Sequence, residues 1–238
     1  MNMYVILGIV AAVLIALFIF RQPLKTVYLI ARVSPYEQPG GGAGSLLVIG
    51  DSTGYGTGAS KSEDSVAGRL GADYSWYRIQ NNSKNGRKAT EALEVARNVS
   101  DDYNVILLQL GANDLLNGSS VDEVVGTMRE LITTLQPRTE HIVIITSGNI
   151  GGAPRFDEEK VKKFDAISRE YTNAMIELAN EYQDVQFVPL YAELTEDVFV
   201  KAPEEYMAFD GLHPTSAGYG LWYERAKPYF DEVMNAEK

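Results

Sequence analysis

A serine, a histidine and an aspartate suited to acyl-transfer chemistry stand in two short polar clusters of this 238-residue chain, Gly50-Asp51-Ser52-Thr53 and Asp210-Gly211-Leu212-His213-Pro214. A serine hydroxyl is a weak nucleophile until a base takes its proton. The chain has two histidines, His141 and His213. His213 has Asp210 three residues before it, where a carboxylate on the same loop can hold the ring through Nδ1 and stabilise the imidazolium. His141 opens an apolar run after Pro137, lacks an acid at that spacing, and reads as a surface histidine. The tetrahedral intermediate of acyl transfer also needs donors for its oxyanion. Two further clusters, Ser83-Lys84-Asn85-Gly86 and Gly111-Ala112-Asn113-Asp114, offer them. The backbone N–H groups of Ser52 and Gly86 and the side-chain amide of Asn113 would make three. A glycine at 86 keeps a side chain out of the substrate's way. Asp51 reads as a brace for the turn beside the nucleophile, and Asp114 as structural.

Those clusters need elements that bring them together. From Ser45 onward, short apolar runs alternate with longer helical stretches. Strands are expected at Leu46–Gly50, Ser75–Asn81, Val105–Leu110, His141–Thr146 and Val185–Pro189. Helices are expected near Ser62–Gly71, Lys88–Asn98, Val121–Leu135, Glu158–Tyr182 and Thr215–Met234, and Ser120 with Glu123 fits a capping box before the third. LLVIG and VILLQL are continuous apolar runs, as strands buried on both faces require. The pattern predicts a parallel five-stranded sheet in a three-layer α/β/α sandwich. Such sheets carry their sites outside the carboxyl ends of the strands, and each of the four clusters would fall on that edge.

At this point the sequence resembles a known family. GDS at 50–52, Gly86, GAND at 111–114 and DGLHP at 210–214 are similar, in order and spacing, to the four blocks of GDSL/SGNH hydrolases. The resemblance spans residues 45–235. It implies a flavodoxin-like sheet, a serine esterase activity, and the family's four named residues at Ser52, Gly86, Asn113 and His213, with Asp210 completing the triad. The flanking GDSTGYGTGA and FDGLHPTSAGY are similar to the lysophospholipase-like and arylesterase-like branch. The chain departs from the family twice. Thr53 stands where the motif's name has leucine, and the second block reads KNGRKA without a second glycine.

Several classes of function are disfavoured. With no cysteine, thiol nucleophiles, disulfides and Cys-based zinc sites are excluded. A formal charge of -11 argues against nucleic acid as a partner. The glycines at 54, 56 and 58 follow a strand, but their spacing is not that of a dinucleotide loop and no GK[ST] follows. They are expected to give substrate close access to the backbone. A serine/histidine site leaves Asp51, Asp114 and Asp210 no metal to hold, so neither metal nor cofactor is expected. The loop Gly148–Asp157 should border the site, with Arg155 or Phe156 touching substrate, and Tyr191–Tyr206 could form another wall.

Ahead of the hydrolase region, Met3–Phe20 is an uncharged apolar run of eighteen residues. As a helix it would be about 27 Å long, close to the thickness of a bilayer's hydrocarbon core. No basic residue precedes it and no A-x-A-like site follows, so an uncleaved single-pass anchor is expected in place of a signal peptide. The expected organisation is an anchor and juxtamembrane segment over 1–33, a flexible Gly/Pro-rich linker over 34–44, and an SGNH hydrolase domain over 45–238. The membrane face stays open. Substrates consistent with this organisation are carboxylic esters such as lysophospholipids or short acyl esters. O-acetyl groups of cell-surface polysaccharide, acyl transfer to another acceptor, and a catalytically silent, membrane-tethered binding module are the competing readings.

Overall fold

The computed structural model describes residues 3–40 and 44–234, and within the first helix the side chains of residues 4, 7–8 and 11–22 also fall outside the described set. The elements run α1 (Met3–Arg32), β1 (Gly44–Gly50), α2 (Ser52–Tyr55), α3 (Val66–Asp73), β2 (Tyr77–Ser83), α4 (Ala89–Arg97), β3 (Tyr103–Gln109) and α5 (Ala112–Leu116). They continue α6 (Val121–Leu135), β4 (Thr139–Ile145), α7 (Glu158–Ala179), β5 (Val185–Val188), α8 (Val198–Lys201), α9 (Pro203–Tyr206) and α10 (Ser216–Met234).

The five strands pair in parallel in the order β2-β1-β3-β4-β5, the flavodoxin-like order. Alternate residues of the central strands feed two cores. Leu47, Ile49, Ile106, Leu108 and Ile144 pack under α4, α6 and α7, while Leu46, Val48, Val105, Leu107 and Val143 pack under α3 and α10. Both faces are covered, which is why these strands read as unbroken apolar runs. The capping box at Ser120 and Glu123 is present in full and opens α6.

Of the boundaries that differ from expectation, two have a clear local cause. The parallel register pairs Gly44 with Tyr77 and Gly50 with Ser83, so β2 lies two residues later than its composition suggests and its polar Asn81, Asn82 and Ser83 are strand residues. Edge position explains that polarity, since β2 buries alternate residues only. The helix expected from Ser62 begins instead at Val66, because the Ser65 hydroxyl accepts the Gly68 N–H at 3.1 Å and caps a fresh start.

The N-terminal region departs further. The helix holding the apolar run continues through Pro23 to Arg32. Most side chains of the run expected to cross a membrane lie outside the described residues, and among the described residues no helix is long and apolar enough to do so. The segment expected as a free linker is docked up to residue 40. Gln38 pairs antiparallel with Ile79 on the sheet edge, and its amide donates to the Tyr77 and Tyr74 carbonyls at 2.8 and 3.3 Å. Two prolines and a glycine there shape an extended clasp. The stretch 41–43 of the expected linker lies outside the described residues.

Candidate active site

At the carboxyl end of β1 the chain turns sharply at Asp51 and enters α2 at Ser52. The Asp51 N–H donates to the Gln109 carbonyl at 3.0 Å, tying the turn to β3. Its Oδ1 accepts the N–H and the hydroxyl of Thr53, both at 2.8 Å. Asp51 is therefore the expected brace, and Thr53, where the motif's name has leucine, supplies the second donor. Burial pushes the Asp51 carboxyl up to about 6, outweighing those two hydrogen bonds and the attraction of His213.

The base loop approaches from the far end of the chain. His213 Nε2 lies 3.0 Å from Ser52 Oγ, and His213 Nδ1 lies 2.7 Å from Asp210 Oδ2. With the proton on Nδ1 facing the carboxylate, Nε2 is the acceptor for the serine hydroxyl. Asp210 Oδ1 accepts the N–H groups of Leu212 and His213 at 3.0 and 3.1 Å. Burial alone would raise the Asp210 carboxyl. The hydrogen bond and charge of His213 and the two backbone donors win, and hold it down at about 2. Gly211 sits at φ +67 so that the loop can curl back on its own aspartate.

Donors for an oxyanion gather beside the serine. Gly86, at φ +76, follows β2 and faces open space where a side chain would be. Among the described residues the N–H groups of Ser52 and Gly86 find no acceptor within the protein. Asn113 spends one amide hydrogen on the Arg87 carbonyl at 3.2 Å, and its NH₂ carries a second. Asp114 accepts the Ala89 N–H with both oxygens, at 3.1 and 3.0 Å, which caps α4 and clamps the Gly86 and Asn113 loops together. Asn85 accepts the Thr57 hydroxyl at 2.6 Å, joining the same loop to the nucleophile turn.

Ser52, Gly86, Asn113 and His213 line one cavity of about 350 Å³, with Asp210 buried behind the histidine. Its far walls are mostly apolar and include Leu116, Ile150, Leu190, Phe199 and Trp222. His141 sits at the opposite end of its strand and takes no part. The loop after β4 does border the cavity, but through Ser147–Asn149 and Ile150. Arg155 instead gives its backbone N–H to the Gly211 carbonyl at 3.2 Å, and Phe156 stacks on Phe164. The 191–206 stretch contributes Asp197 and Phe199. The glycines of 54–58 do a different task from the one expected. A Cβ on Gly58 would stand 2.3 Å from the Pro214 carbonyl oxygen, and one on Gly54 would stand 2.6 Å from Ser83 Oγ. They allow close packing between loops rather than access for substrate. Among the described residues no group of three or more His, Asp or Glu side chains is placed to hold a metal.

Sequence reasoning missed Arg87 and Thr26. The buried Arg87 guanidinium donates to the carbonyls of Asn82 and Gly50 and so ties the loop after β2 to the end of β1. Thr26 donates to Asp210 from α1, a contact for which no local signal exists.

A family model described as the GDSL-like lipase/acylhydrolase family matches residues 48–221. The chain belongs to this family. It is a GDSL-type ester hydrolase by family, and its fold has solved relatives. A member of the lipolytic G-D-S-L family from Veillonella parvula DSM 2008 is 21% identical, with a TM-score of 0.63 over 78% of this chain and 97% of that one. TesA is 18% identical, with a TM-score of 0.61 over 79% and 99%. Axe2, an acetylxylan esterase from Geobacillus stearothermophilus, is 20% identical, with a TM-score of 0.55 over 82% and 96%. At these identities the likeness is one of fold. No curated relative matches the sequence.

Proposed function

We propose that this GDSL-type hydrolase cleaves carboxylic esters through an acyl-enzyme on Ser52. One observation carries the reading: the unbroken chain from Ser52 Oγ through His213 to Asp210, at 3.0 and 2.7 Å, opens on a largely apolar cavity. His213 Nε2 takes the hydroxyl proton as Oγ attacks the ester carbonyl. The Ser52 and Gly86 N–H groups and the Asn113 amide receive the negative charge on the carbonyl oxygen. His213 then returns the proton to the departing alcohol, leaving an acyl group on Oγ. Water, deprotonated by the same imidazole, repeats the attack and releases the acid. Asp210 holds the ring and stabilises its charged form. Cofactor and metal have no step in this scheme.

The substrate reading is a lipid-derived or short acyl ester, lysophospholipids included. A 350 Å³ cavity is near the small end of ligand pockets, which suits one acyl chain of modest length. The single-pass N-terminal anchor is part of this proposal, with residues 45–238 as the hydrolase domain. The exposed apolar Leu24, Val27, Tyr28 and Phe209 beside the docked end of α1 support a site working near lipid. A second reading, removal of O-acetyl groups from polysaccharide, is favoured by the same small cavity and by the fold shared with an acetylxylan esterase. Transfer to an acceptor other than water would use the same groups. A silent binding module has no need of the complete donor, base and nucleophile set found here.

The test uses the full chain in mild detergent, with p-nitrophenyl esters from acetate to palmitate and Ser52→Ala in parallel. Turnover by the wild type alone, with rapid fluorophosphonate labelling of Ser52, is the expected result. A preference for acetate selects the deacetylase reading, and one for longer chains the lipid reading. Equal turnover by Ser52→Ala, or no turnover and no labelling in the wild type, sinks the proposal.

A further inference from the structure

We propose that the last turns of α1 are built into the active site, with Thr26 positioning the Asp210 carboxylate and Ile30 bounding the space for the acyl group. The inference rests on the ester-hydrolase reading above. Asp210 has two oxygens and four partners. Oδ1 takes two backbone N–H groups from its own loop. Oδ2 takes His213 Nδ1 at 2.7 Å and the Thr26 hydroxyl at 3.0 Å, from 184 residues away in the chain. Among the described residues Thr26 is the one side-chain donor to this carboxylate other than the histidine.

The contact belongs to a docked surface. The Lys25 ammonium donates to the Phe209 carbonyl at 2.8 Å, and the Tyr28 ring packs on the Phe209 ring with centroids 5.8 Å apart. Leu29 is 2% exposed and Val33 is buried too. Thr26, Leu29, Ile30 and Val33 recur at helical spacing, so one face of α1 is turned to the enzyme, while Leu24 and Val27 are exposed. Thr26 and Ile30 both line the cavity that holds Ser52. Past Val33, the pairing of Gln38 with Ile79 anchors the chain to the sheet edge, so the docked turns are held at both ends.

The chemistry gives Thr26 a definite task. Two backbone N–H groups already hold Oδ1, and the Thr26 hydroxyl adds a second donor on Oδ2, which fixes that oxygen's lone pairs toward Nδ1 and lowers the basicity of the carboxylate while the imidazolium forms. The titratable and charged groups around the carboxylate are His213, Asp51 acting through His213, the buried Tyr219 phenol, and Lys25 at the adjacent carbonyl. Loss of the Thr26 donor leaves the carboxylate more basic, and a more basic carboxylate binds the imidazole proton more tightly.

The full chain in detergent, assayed with p-nitrophenyl esters across pH, tests this with Thr26→Val, Thr26→Ser and Ile30→Trp beside Ser52→Ala. Thr26→Val, nearly isosteric, is expected to lower kcat by about tenfold with KM little changed, the usual worth of a hydrogen bond to a charged group. It should also move the acidic limb of kcat/KM to higher pH, and Thr26→Ser should restore both. Ile30→Trp should shift the preferred ester toward shorter acyl chains. A Thr26→Val enzyme equal to wild type at every pH overturns the proposal. So does equal impairment of the valine and serine variants, or an unchanged chain-length preference in Ile30→Trp. Turnover surviving in Ser52→Ala is a separate outcome, and removes the esterase reading itself.

Discussion

Asp51 and Asp210 flank the same serine–histidine contact and are 2% and 1% exposed, yet their loops shift the two carboxyls in opposite directions. The nucleophile loop gives Asp51 two donors from one threonine, both on Oδ1, and burial wins: the carboxyl rises to about 6. The base loop and α1 give Asp210 four partners spread over both oxygens, and binding wins: the carboxyl falls to about 2. Similar exposure thus leaves one carboxyl that titrates just below neutral pH and another that stays an anion throughout. Donor count and the facing imidazole decide which. A triad acid has to be the anion, because it stabilises charge on the histidine and never takes the proton itself.

The largest expected effect separates the two acids by activity. Asp210→Asn keeps the shape of the loop but presents the wrong partner to Nδ1, and kcat should fall by roughly 10⁴-fold. Asp51→Asn should cost far less, since an amide oxygen still accepts from Thr53. Steady-state kinetics on one ester compares the two directly, and similar losses would erase the contrast drawn here.

Stability should separate them by sign. Asp51 has a raised carboxyl, so its favourable contribution is fully present below its ordinary 3.8 and is lost as pH rises through about 6. A shift of this size corresponds to about 2 kcal/mol between pH 4 and pH 7. Asp210 has a lowered carboxyl, so its contribution is present above 3.8 and is lost as pH falls through about 2. Urea unfolding from pH 4 to 8 should therefore show Asp51→Asn flattening the decline toward neutral pH and gaining stability at pH 8. A steeper decline would contradict the assignment.

The smallest effect tests the seam between the loops. Gly58 has φ +100, and an added Cβ would meet the Pro214 carbonyl oxygen. Gly58→Ala should cost about 2 kcal/mol in thermal or urea unfolding, and should slow turnover by moving His213 relative to Ser52. Loss of stability at unchanged kcat would show that the seam does not set the serine–histidine distance.

The sheet is legible because LLVIG and VILLQL are buried on both sides, and the triad because a polar cluster after β1 and another before α10 carry it. Asp51 is legible as the brace of its own turn, whereas Asp114 is legible in type but not in target, since the Ala89 N–H that it caps is brought to it by the fold. The glycines at 54 and 58 misled because a close approach to Ser83 or Pro214 leaves no trace in the local pattern. Ser34–Gly40 looked like a linker because proline and glycine mark extended backbone, whether free or pinned to a strand edge. Thr26 had no signal at all, because its role exists only once residues 184 positions apart meet.

That separation has a consequence in time. Ser52 and His213 are 161 residues apart, and contacts of such span are slow to close. β1, which carries the serine, pairs with β2 and β3, but the imidazole arrives only with the segment that leads into α10. A chain in which the segment leading into α10 has not docked holds a serine without a base. The finished fold is therefore its own activation signal, and an ester-cleaving centre comes into being only after the molecule around it is complete.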